Sequence, residues 1–379
     1  MSKKRILFLA PSMAIGGAER VLVNLLKRLD YEKYDVSLCL SVKHGSYFQE
    51  LPKQVNVFSI FPCVFINRFL SWIEKKFHTR IFIDWMAKAT IRENYDVGIC
   101  FSDGLLTNTL VATKDQYKQL VTWVHSCYLS QSGLNEYYSQ NKNRQRLLQK
   151  RYNQINTVVC VSRQSLNEFN QIFHCEDKSE IIYNLFDSST IIAKAKEFIP
   201  QYRGRKNQLR VIFIGRLVNV KKINRLLEAK IILQNLGVDF ALDIVGNGPE
   251  GDNLKTIVER NNIKDVTFWG FQSNPYPFLA NSDILALTSE SEAFPTVLIE
   301  AMLLEKPVVA TKCSGCVEIT DGGKYGVLCE HNANDIAAKL KQLLESKELR
   351  ERLAVSGRER LAVYSEKKTL DAFDKLIHK

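Results

Sequence analysis

The most restrictive feature of the sequence is a helix pattern that lies between two short apolar runs. Residues 283–288 (DILALT) and 307–311 (PVVAT) have the length and composition of buried strands. Between them, Pro295 suits the first position of a helix, where a missing N–H costs nothing, so we predict a helix over residues 295–304. The first backbone N–H groups of such a helix have no intrahelical partner and favour an anion, above all a phosphate.

Two carboxylates flank the start of this predicted helix. Glu292 lies in the loop before it, and Glu300 lies about a turn and a half into it. Glutamates are usually solvated surface residues, and an isolated pair would be interpreted in that way. Here the surroundings are apolar, because the stretch contains Ala293, Phe294, Val297, Leu298, Ile299, Ala301 and Met302. A carboxylate in such surroundings needs a partner, which favours a binding role.

Strand, glycine loop and helix patterns alternate along the first half of the chain. A strand is predicted over residues 6–10, and Gly16 and Gly17 then precede a predicted helix over residues 18–29. This order indicates a doubly wound α/β domain whose glycines let a ligand approach the helix start. Further strand candidates are residues 36–40, 55–60, 97–101, 120–124 and 157–161. Their alternation with helical patterns predicts a parallel sheet.

The second half repeats this pattern with a basic turn. A strand over residues 209–214 leads into a glycine turn that carries Arg216 and Lys221, which could neutralise a diphosphate, and then into a helix over residues 223–236. The next strand ends in residues 246–251 (GNGPEG), which literally match the dinucleotide fingerprint G-x-G-x-x-G. That fingerprint normally lies in the first βαβ unit of a domain, so it is a weak indication of a nicotinamide cofactor here.

Length, composition and charge limit the possible classes of protein. The chain has 379 residues with 45% hydrophobic and 25% charged residues, which is typical of a globular protein with two domains. No apolar run is long enough to span a bilayer, and the N-terminal run is too short for a signal peptide, so we expect a cytoplasmic protein. Of the net charge of +11, +8 lies within residues 1–185, which suits an anionic partner. No nucleic-acid-binding motif accompanies these charges, and no nucleic acid is expected as a partner.

The nine cysteines are an odd number, and several lie inside apolar runs. Cys39, Cys100 and Cys160 are predicted to be small buried core residues. Cys313 and Cys316 form a C-x-x-C pair, so metal or redox chemistry has to be considered. There is no second pair, and the neighbouring residues fit a glycine loop better. We find no Asp-x-Asp motif, and therefore predict no metal site.

Residues 64–88 combine aromatic with basic side chains, among them Arg68, Lys75 and Lys76. One interpretation is an interfacial amphipathic helix that meets lipid head groups or a lipid-linked diphosphate. The other is a helix that packs on the core and has a solvated basic edge. The sequence leaves both open.

Several motifs resemble one enzyme family. EAFPTVLIEAM (residues 292–302) resembles the Glu-x7-Glu signature of the retaining, nucleotide-sugar-dependent glycosyltransferases of family GT4, although Ala293 stands where the family usually has Gly. Gly215, Arg216, Leu217 and Lys221 match the family pattern Gly-Arg-Leu-x3-Lys. The resemblance implies an α/β GT-B fold, with two Rossmann-like domains that face each other across a cleft. The implied domains are an acceptor-binding domain 1–186, a linker 187–208, a nucleotide-sugar-binding domain 209–362 and a returning helix 363–379.

The resemblance also implies roles for individual residues. Arg216 and Lys221 would neutralise the departing diphosphate, Glu300 would bind the ribose, and Glu292 would orient the donor sugar. The implied catalytic residues are Glu292 and His125, which follows a predicted strand. The implied donor-binding residues are Gly17, Arg216, Lys221, Phe271, Phe294, Pro295, Thr296, Val297 and Glu300. The implied acceptor-side residues are Gly16, Arg68, Lys75 and Lys76.

The function implied is transfer of a hexose or N-acetylhexosamine from a nucleotide sugar, with retention of the anomeric configuration. The nucleotide is expected to be UDP, because UDP-sugars are the frequent donors in the family. The acceptor would be a glycan or polyprenyl-diphosphate-linked glycan of surface polysaccharide or lipopolysaccharide synthesis, without a cofactor. The enzyme would be peripheral on the inner face of the cytoplasmic membrane, in contact with anionic lipid. Two alternatives stay open: a GT-B nucleotide-sugar epimerase, and a nicotinamide-dependent oxidoreductase that uses residues 246–251.

Overall fold

The computed structural model describes residues 3–14, 16–77, 80–129, 142–202 and 208–379. The chain divides into two compact units. The first unit consists of Met1–Phe186 and Glu366–Lys379, and the second consists of Asp187–Ser365.

Strands and helices alternate in both units. The strands are β1 (Lys4–Ala10), β2 (Tyr34–Val42), β3 (Asn56–Phe61), β4 (Tyr95–Cys100), β5 (Tyr117–Val124), β6 (Thr157–Cys160), β7 (Ser179–Ile181), β8 (Arg210–Ile214), β9 (Ala241–Val245), β10 (Val266–Gly270), β11 (Ile284–Leu287), β12 (Val308–Thr311) and β13 (Val327–Cys329). The helices in the described residues are α1 (Gly17–Arg28), α2 (Val64–Phe77), α3 (Ile81–Thr90), α4 (Leu105–Ala112), α5 (Lys142–Tyr152), α6 (Arg163–Phe173), α7 (Ser188–Lys194), α8 (Ile223–Asn235), α9 (Gly251–Arg260), α10 (Tyr276–Ala280), α11 (Thr296–Leu303), α12 (Ser314–Thr320), α13 (Ala333–Glu345), α14 (Lys347–Arg360) and α15 (Glu366–Ile377).

The first unit contains a parallel sheet with the strand order β3-β2-β1-β4-β5-β6-β7. The inner strand β1, which pairs with β2 and β4, is apolar and buried from Ile6 to Ala10, as expected for a strand that is covered on both faces. The C-terminal helix α15 packs onto this unit: the Phe373 ring stacks on Phe8 with 6.1 Å between ring centroids, and Tyr34 donates a hydrogen bond to Asp374.

The second unit contains a parallel sheet with the strand order β10-β9-β8-β11-β12-β13. Counted within the unit, this is the order 3-2-1-4-5-6 of a doubly wound domain. The direction of winding reverses between β8 and β11. In open α/β sheets, ligands bind at the carboxyl ends of the strands that flank this reversal.

The predicted α/β class with two parallel sheets is confirmed. Three local predictions are wrong. Residues 64–88 form two helices, α2 and α3, instead of one. Pro295 is the N-cap of α11, with an extended ψ of 98°, and the helix begins at Thr296. Cys313 caps α12, so residues 314–320 form a helix where a glycine loop was expected.

The stretch 187–208, for which a linker was predicted, contains α7, and residues 203–207 lie outside the described part of the chain. Helix α7 begins here because the Asp187 side chain accepts a hydrogen bond from the Thr190 N–H (2.9 Å). Cys39, Cys100 and Cys160 are buried in the core, as predicted. No helix in the described residues is both long and apolar enough to cross a membrane.

Candidate functional site

An ion pair lies at the winding reversal of the second unit. Lys221 ends the short 3-10 helix that follows β8, and Glu292 lies in the loop that follows β11. The Lys221 Nζ donates to the Glu292 Oε1 at 2.5 Å. The two loops are also joined through their backbones, because the Glu290 N–H donates to the Val220 carbonyl at 2.7 Å. The carboxyl ends of β8 and β11 therefore present a cation and a carboxylate at one point.

Buried hydroxyl groups hold this pair in place. The Ser289 hydroxyl donates to Glu292 Oε1 at 2.6 Å, and the Thr311 hydroxyl donates to the Ser289 carbonyl at 2.6 Å. The Thr288 hydroxyl lies 3.2 Å from the Lys221 carbonyl. The sequence analysis missed Ser289 and Thr311. The available signal was a serine three residues before Glu292 and a threonine at the end of a strand.

The glycine of α12 closes the loop from the other side. The Gly315 N–H donates to the Glu292 carbonyl at 2.9 Å. A Cβ atom on Gly315 would lie 2.7 Å from the carbonyl oxygens of both Glu292 and Ala293, so only glycine allows this approach.

Helix α11 begins beside this pair. Thr296 and Val297 are half-buried in its first turn, Pro295 is its buried N-cap, and Glu300 lies half-buried one turn further on. The Phe294 side chain is buried, with its ring centroid 5.4 Å from that of Tyr364. Phe294 can therefore offer a ligand its backbone but not its ring.

Two predicted donor-binding residues project from the same edge of the sheet. Arg216 follows β8 and is exposed. Within the described residues its side chain forms no hydrogen bond or ion pair. Phe271 directly follows β10, and 52% of its surface is exposed. A free guanidinium and an exposed ring are available for a phosphate and for a planar base.

Two of the three glycines of the fingerprint-like stretch serve the packing of two turns. A Cβ atom on Gly246 would collide with the Gly215 carbonyl, and one on Gly248 would lie 2.7 Å from the Leu217 carbonyl carbon. The stretch follows β9, the second strand of its unit, while Gly215 occupies the turn after the first strand. Their close approach to the protein backbone explains these glycines without a dinucleotide.

The remaining predicted residues belong to the first unit. Gly16 is the N-cap of α1, and a Cβ atom there would collide with the Glu19 carboxylate, which folds back over the first turn. Gly17 is exposed, and nothing lies within 4 Å of the position that a Cβ atom would take there. The α1 N-terminus, where we expected a ligand to approach, therefore already has a carboxylate beside it.

His125 follows β5 and lies 5.0 Å, between ring centroids, from Phe101. Burial lowers the pKa of His125 to about 4, although a hydrogen bond with the Phe101 backbone opposes the shift. The imidazole is therefore neutral near pH 7. Its Nε2 atom is buried and has no hydrogen-bond partner among the described residues.

Arg68 and Lys76 are exposed on α2, and the Lys76 ammonium lies 4.8 Å from the centre of the Trp72 ring. The side chain of Lys75 lies outside the described residues. Large apolar side chains are also exposed on α2 and α3, and we call this set the aromatic face. It consists of Phe65, Phe69 and Trp72 on α2 and Ile81, Phe82 and Trp85 on α3.

Cys313 and Cys316 are buried free thiols whose sulfur atoms lie 3.2 Å apart. Burial and the neighbouring Cys313 raise the pKa of Cys316, so it carries a proton at neutral pH. Within the described parts of the chain, no group of three or more His, Cys, Asp or Glu residues is arranged to hold a metal ion.

Comparisons with known proteins assign the chain and its fold to a family. A family model described as "Glycosyltransferase Family 4" matches residues 15–190, and one described as "Glycosyl transferases group 1" matches residues 194–360. The chain belongs to the GT4 family of glycosyltransferases and has the GT-B fold. The epimerase and oxidoreductase alternatives are therefore set aside.

Among the relatives, the N-acetyl-alpha-D-glucosaminyl L-malate synthase of Bacillus anthracis is 30% identical over 211 residues, which cover 54% of this chain and 55% of the relative. A Campylobacter jejuni N-acetylgalactosamine-N,N'-diacetylbacillosaminyl-diphospho-undecaprenol 4-alpha-N-acetylgalactosaminyltransferase is 32% identical over 203 residues, which cover 52% and 53%. The chain thus spans about half the length of these two relatives. The crystal structure of Anabaena HepE with UDP and glucose has a TM-score of 0.76 at 22% identity and covers 99% of both chains.

Proposed function

We propose that the protein transfers a hexose or N-acetylhexosamine, with retention of configuration, from a UDP-sugar to a glycan or lipid-linked glycan acceptor. The supporting observation is the Lys221–Glu292 pair at the winding reversal of the second unit. An ammonium beside a carboxylate suits a ligand that carries both a diphosphate and hydroxyl groups. A nucleotide sugar has both.

In this proposal, each group of the second unit meets one part of the donor. Lys221 and the free Arg216 bind the diphosphate and stabilise the charge that develops as the nucleotide departs. The N–H groups of Thr296 and Val297 at the start of α11 add to this stabilisation. Glu300 binds the ribose hydroxyls. We assign no enzymatic nucleophile.

Two further residues, one in each unit, are assigned a contact with a substrate. The exposed Phe271 ring stacks on the base. His125, which is neutral and has an unpartnered Nε2, accepts or donates a hydrogen bond at a substrate hydroxyl. Uridine as the base is supported by the structure of Anabaena HepE, which was solved with UDP and glucose.

The donor can be tested by incubating the enzyme with UDP-glucose, UDP-galactose and their N-acetylated forms, together with a bacterial lipid-linked oligosaccharide fraction. We expect UDP release with one donor, transfer of its label to the lipid phase, and retention of the anomeric configuration by NMR. Lys221→Met should abolish transfer. Lys255→Met, which removes an exposed cation paired with Asp252 in the same unit, should not. UDP release without label transfer for every donor would contradict the proposal.

We further propose that the acceptor is carried at the inner face of the cytoplasmic membrane and that the aromatic face contacts the lipid. Phe65, Phe69 and Trp72 recur at helical spacing on α2, and Arg68 falls on the same side. Apolar side chains with 76% and 67% exposure, at Phe65 and Trp85, are unusual on a surface that meets only water. Aromatic rings flanked by cations are typical of helices that lie in an anionic interface. The Campylobacter relative, by its name, acts on a diphospho-undecaprenol-linked glycan.

Flotation with vesicles tests this contact. The wild type should float with phosphatidylglycerol vesicles and less with neutral phosphatidylcholine vesicles, because cations and rings both contribute. The double variant Phe69→Ser/Trp72→Ser should stay at the bottom of the gradient. Val355→Ser, which removes a similarly exposed apolar side chain of the second unit, should float like the wild type. Equal flotation on both lipids, or flotation of the double variant, would refute the contact.

A further inference from the structure

A short chain of hydroxyl groups lies beneath the Glu292 carboxylate. Ser289 and Thr311 are both fully buried. The Thr311 hydroxyl, at the end of β12, donates to the Ser289 carbonyl at 2.6 Å, and the Ser289 hydroxyl donates to Glu292 Oε1 at 2.6 Å. The second distance is that of a charge-assisted O–H···O⁻ bond, which is among the stronger side-chain hydrogen bonds.

The hydrogen bonds fall on one side of the carboxylate. The Ser289 hydroxyl and the Lys221 ammonium both donate to Oε1. Among the described residues, no donor to Oε2 is found. A carboxylate has about four acceptor positions, so Oε2 can accept hydrogen bonds from a ligand while Oε1 is held by the protein.

We propose that Ser289 is a positioning residue for the donor sugar, and that Thr311 in turn fixes Ser289. The Ser289 hydroxyl fixes the orientation of Glu292 so that Oε2 is presented to a hydroxyl group of the sugar. This inference rests on the proposed role of Glu292 in binding a UDP-sugar, and adds the two buried residues that make that role geometrically possible. A carboxylate held in advance loses little rotational freedom when the ligand binds.

A purely structural role for Ser289 makes a different prediction. If the hydroxyl only stabilised the loop, its loss would lower stability, and would weaken the binding of UDP and of a UDP-sugar by the same factor. A positioning role weakens only the binding of the sugar part. The ratio of the dissociation constants of UDP-sugar and UDP therefore separates the two roles.

The test compares Ser289→Ala with a reference and a control. Glu292→Gln is the reference, because it changes the group that is being positioned. Ser282→Ala is the control. Like Ser289, Ser282 is buried, and it lies just before the start of β11, whereas Ser289 lies just after the end of this strand. Its hydroxyl donates to the Leu279 carbonyl at 2.8 Å. Dissociation constants for UDP, UDP-glucose and UDP-N-acetylglucosamine are measured by calorimetry on the full chain, after circular dichroism has confirmed that each variant is folded.

We expect Ser289→Ala to raise the ratio about fivefold or more, as the loss of one hydrogen bond to a charged group implies, while the UDP constant changes less than about twofold. Glu292→Gln should shift the ratio in the same direction, and Ser282→Ala should leave it unchanged. An unchanged ratio in Ser289→Ala, with a shifted ratio in Glu292→Gln, would overturn the positioning role alone. If the wild type binds neither UDP nor either UDP-sugar, the proposed donor itself is wrong.

Variants of Thr311 keep the inference testable if Ser289→Ala does not fold. Thr311→Val preserves the shape of the side chain but removes the hydroxyl, and should raise the ratio about twofold or more through Ser289. Thr311→Ser keeps the hydroxyl and should restore the ratio to that of the wild type. Equal ratios in Thr311→Val and Thr311→Ser would refute the role of Thr311 as the support of Ser289.

Discussion

The pairing of Lys221 with Glu292 leads to opposite effects of the two single substitutions on nucleotide binding. Their charged atoms lie 2.5 Å apart, and the side chains are 21% and 12% exposed. At an effective dielectric constant of about 20, two unit charges 4 Å apart interact by about 4 kcal/mol, so each group strongly affects the other. Lys221→Met removes a charge-assisted contact to the diphosphate and should weaken UDP binding about 10- to 100-fold, or about 1.4 to 2.7 kcal/mol.

Glu292→Gln should not weaken UDP binding. The substitution removes the carboxylate that occupies the Lys221 ammonium and repels the diphosphate, so we expect an unchanged or up to about tenfold smaller dissociation constant. Binding of the UDP-sugar should not gain in the same way, because the sugar loses its charged acceptor. The two variants therefore change UDP affinity in opposite directions although they disrupt the same ion pair.

Calorimetry with UDP at low salt, combined with urea unfolding, measures both effects. In unfolding, each single substitution leaves one half-buried charge without its partner and should lower stability by about 1 to 3 kcal/mol. The double variant should lose less than the sum of the two, because neither charge remains. Lys255→Met, at an exposed pair with Asp252, controls for the general loss of a positive charge. A Glu292→Gln variant that weakens UDP binding as strongly as Lys221→Met would refute the reasoning.

Three further predictions concern single residues. Unfolded histidine binds a proton below about pH 6.5, while the pKa of folded His125 is about 4, so stability should fall between these values as the pH decreases. Between pH 7 and pH 4.5 the free energy of unfolding in urea should fall by about 2 to 3 kcal/mol more in the wild type than in His125→Gln. An equal fall in both proteins would contradict the burial of this imidazole. In thermal unfolding, Gly248→Ala should destabilise the protein by about 2 kcal/mol or more, because its Cβ atom would collide with the backbone of Leu217. Gly251→Ala should be nearly neutral, because its Cβ atom would meet only an ordinary contact at 3.6 Å. In calorimetry, Phe271→Ala should weaken UDP binding by about 1 kcal/mol or more, because the base loses its stacking partner, and the melting temperature should not change. Leu236→Ala, at another exposed apolar residue, should leave UDP binding unchanged.

Most of the fold could be predicted because its signals are local. Parallel strands that are buried on both faces are continuous apolar runs, and the predicted strand over residues 6–10 lies within the observed Lys4–Ala10. The helix predicted over residues 295–304 is Thr296–Leu303 in the structure. Glycine turns after strands, as at Gly215, marked where the carboxyl edge of a sheet would lie.

The parts that could not be predicted depend on contacts between distant segments. The ring of Phe294 is turned away from the start of α11 because it packs on Tyr364, 70 residues further along the chain by numbering. The support of Glu292 joins Ser289 with Thr311, and no local pattern connects these residues. The division of residues 64–88 into α2 and α3 was hidden because both helices carry exposed aromatic residues of the same kind.

The central claim, that the second unit binds a nucleotide sugar at its winding reversal, is tested most directly by thermal unfolding with UDP-, GDP-, ADP- and CMP-sugars and NADH. A ligand that binds only the folded state at about 100 times its dissociation constant adds about 2.7 kcal/mol of stability. We predict a raised melting temperature with UDP-sugars in the wild type, and a smaller shift in Glu300→Ala. Stabilisation by NADH alone, or an equal shift in wild type and Glu300→Ala, would contradict the account.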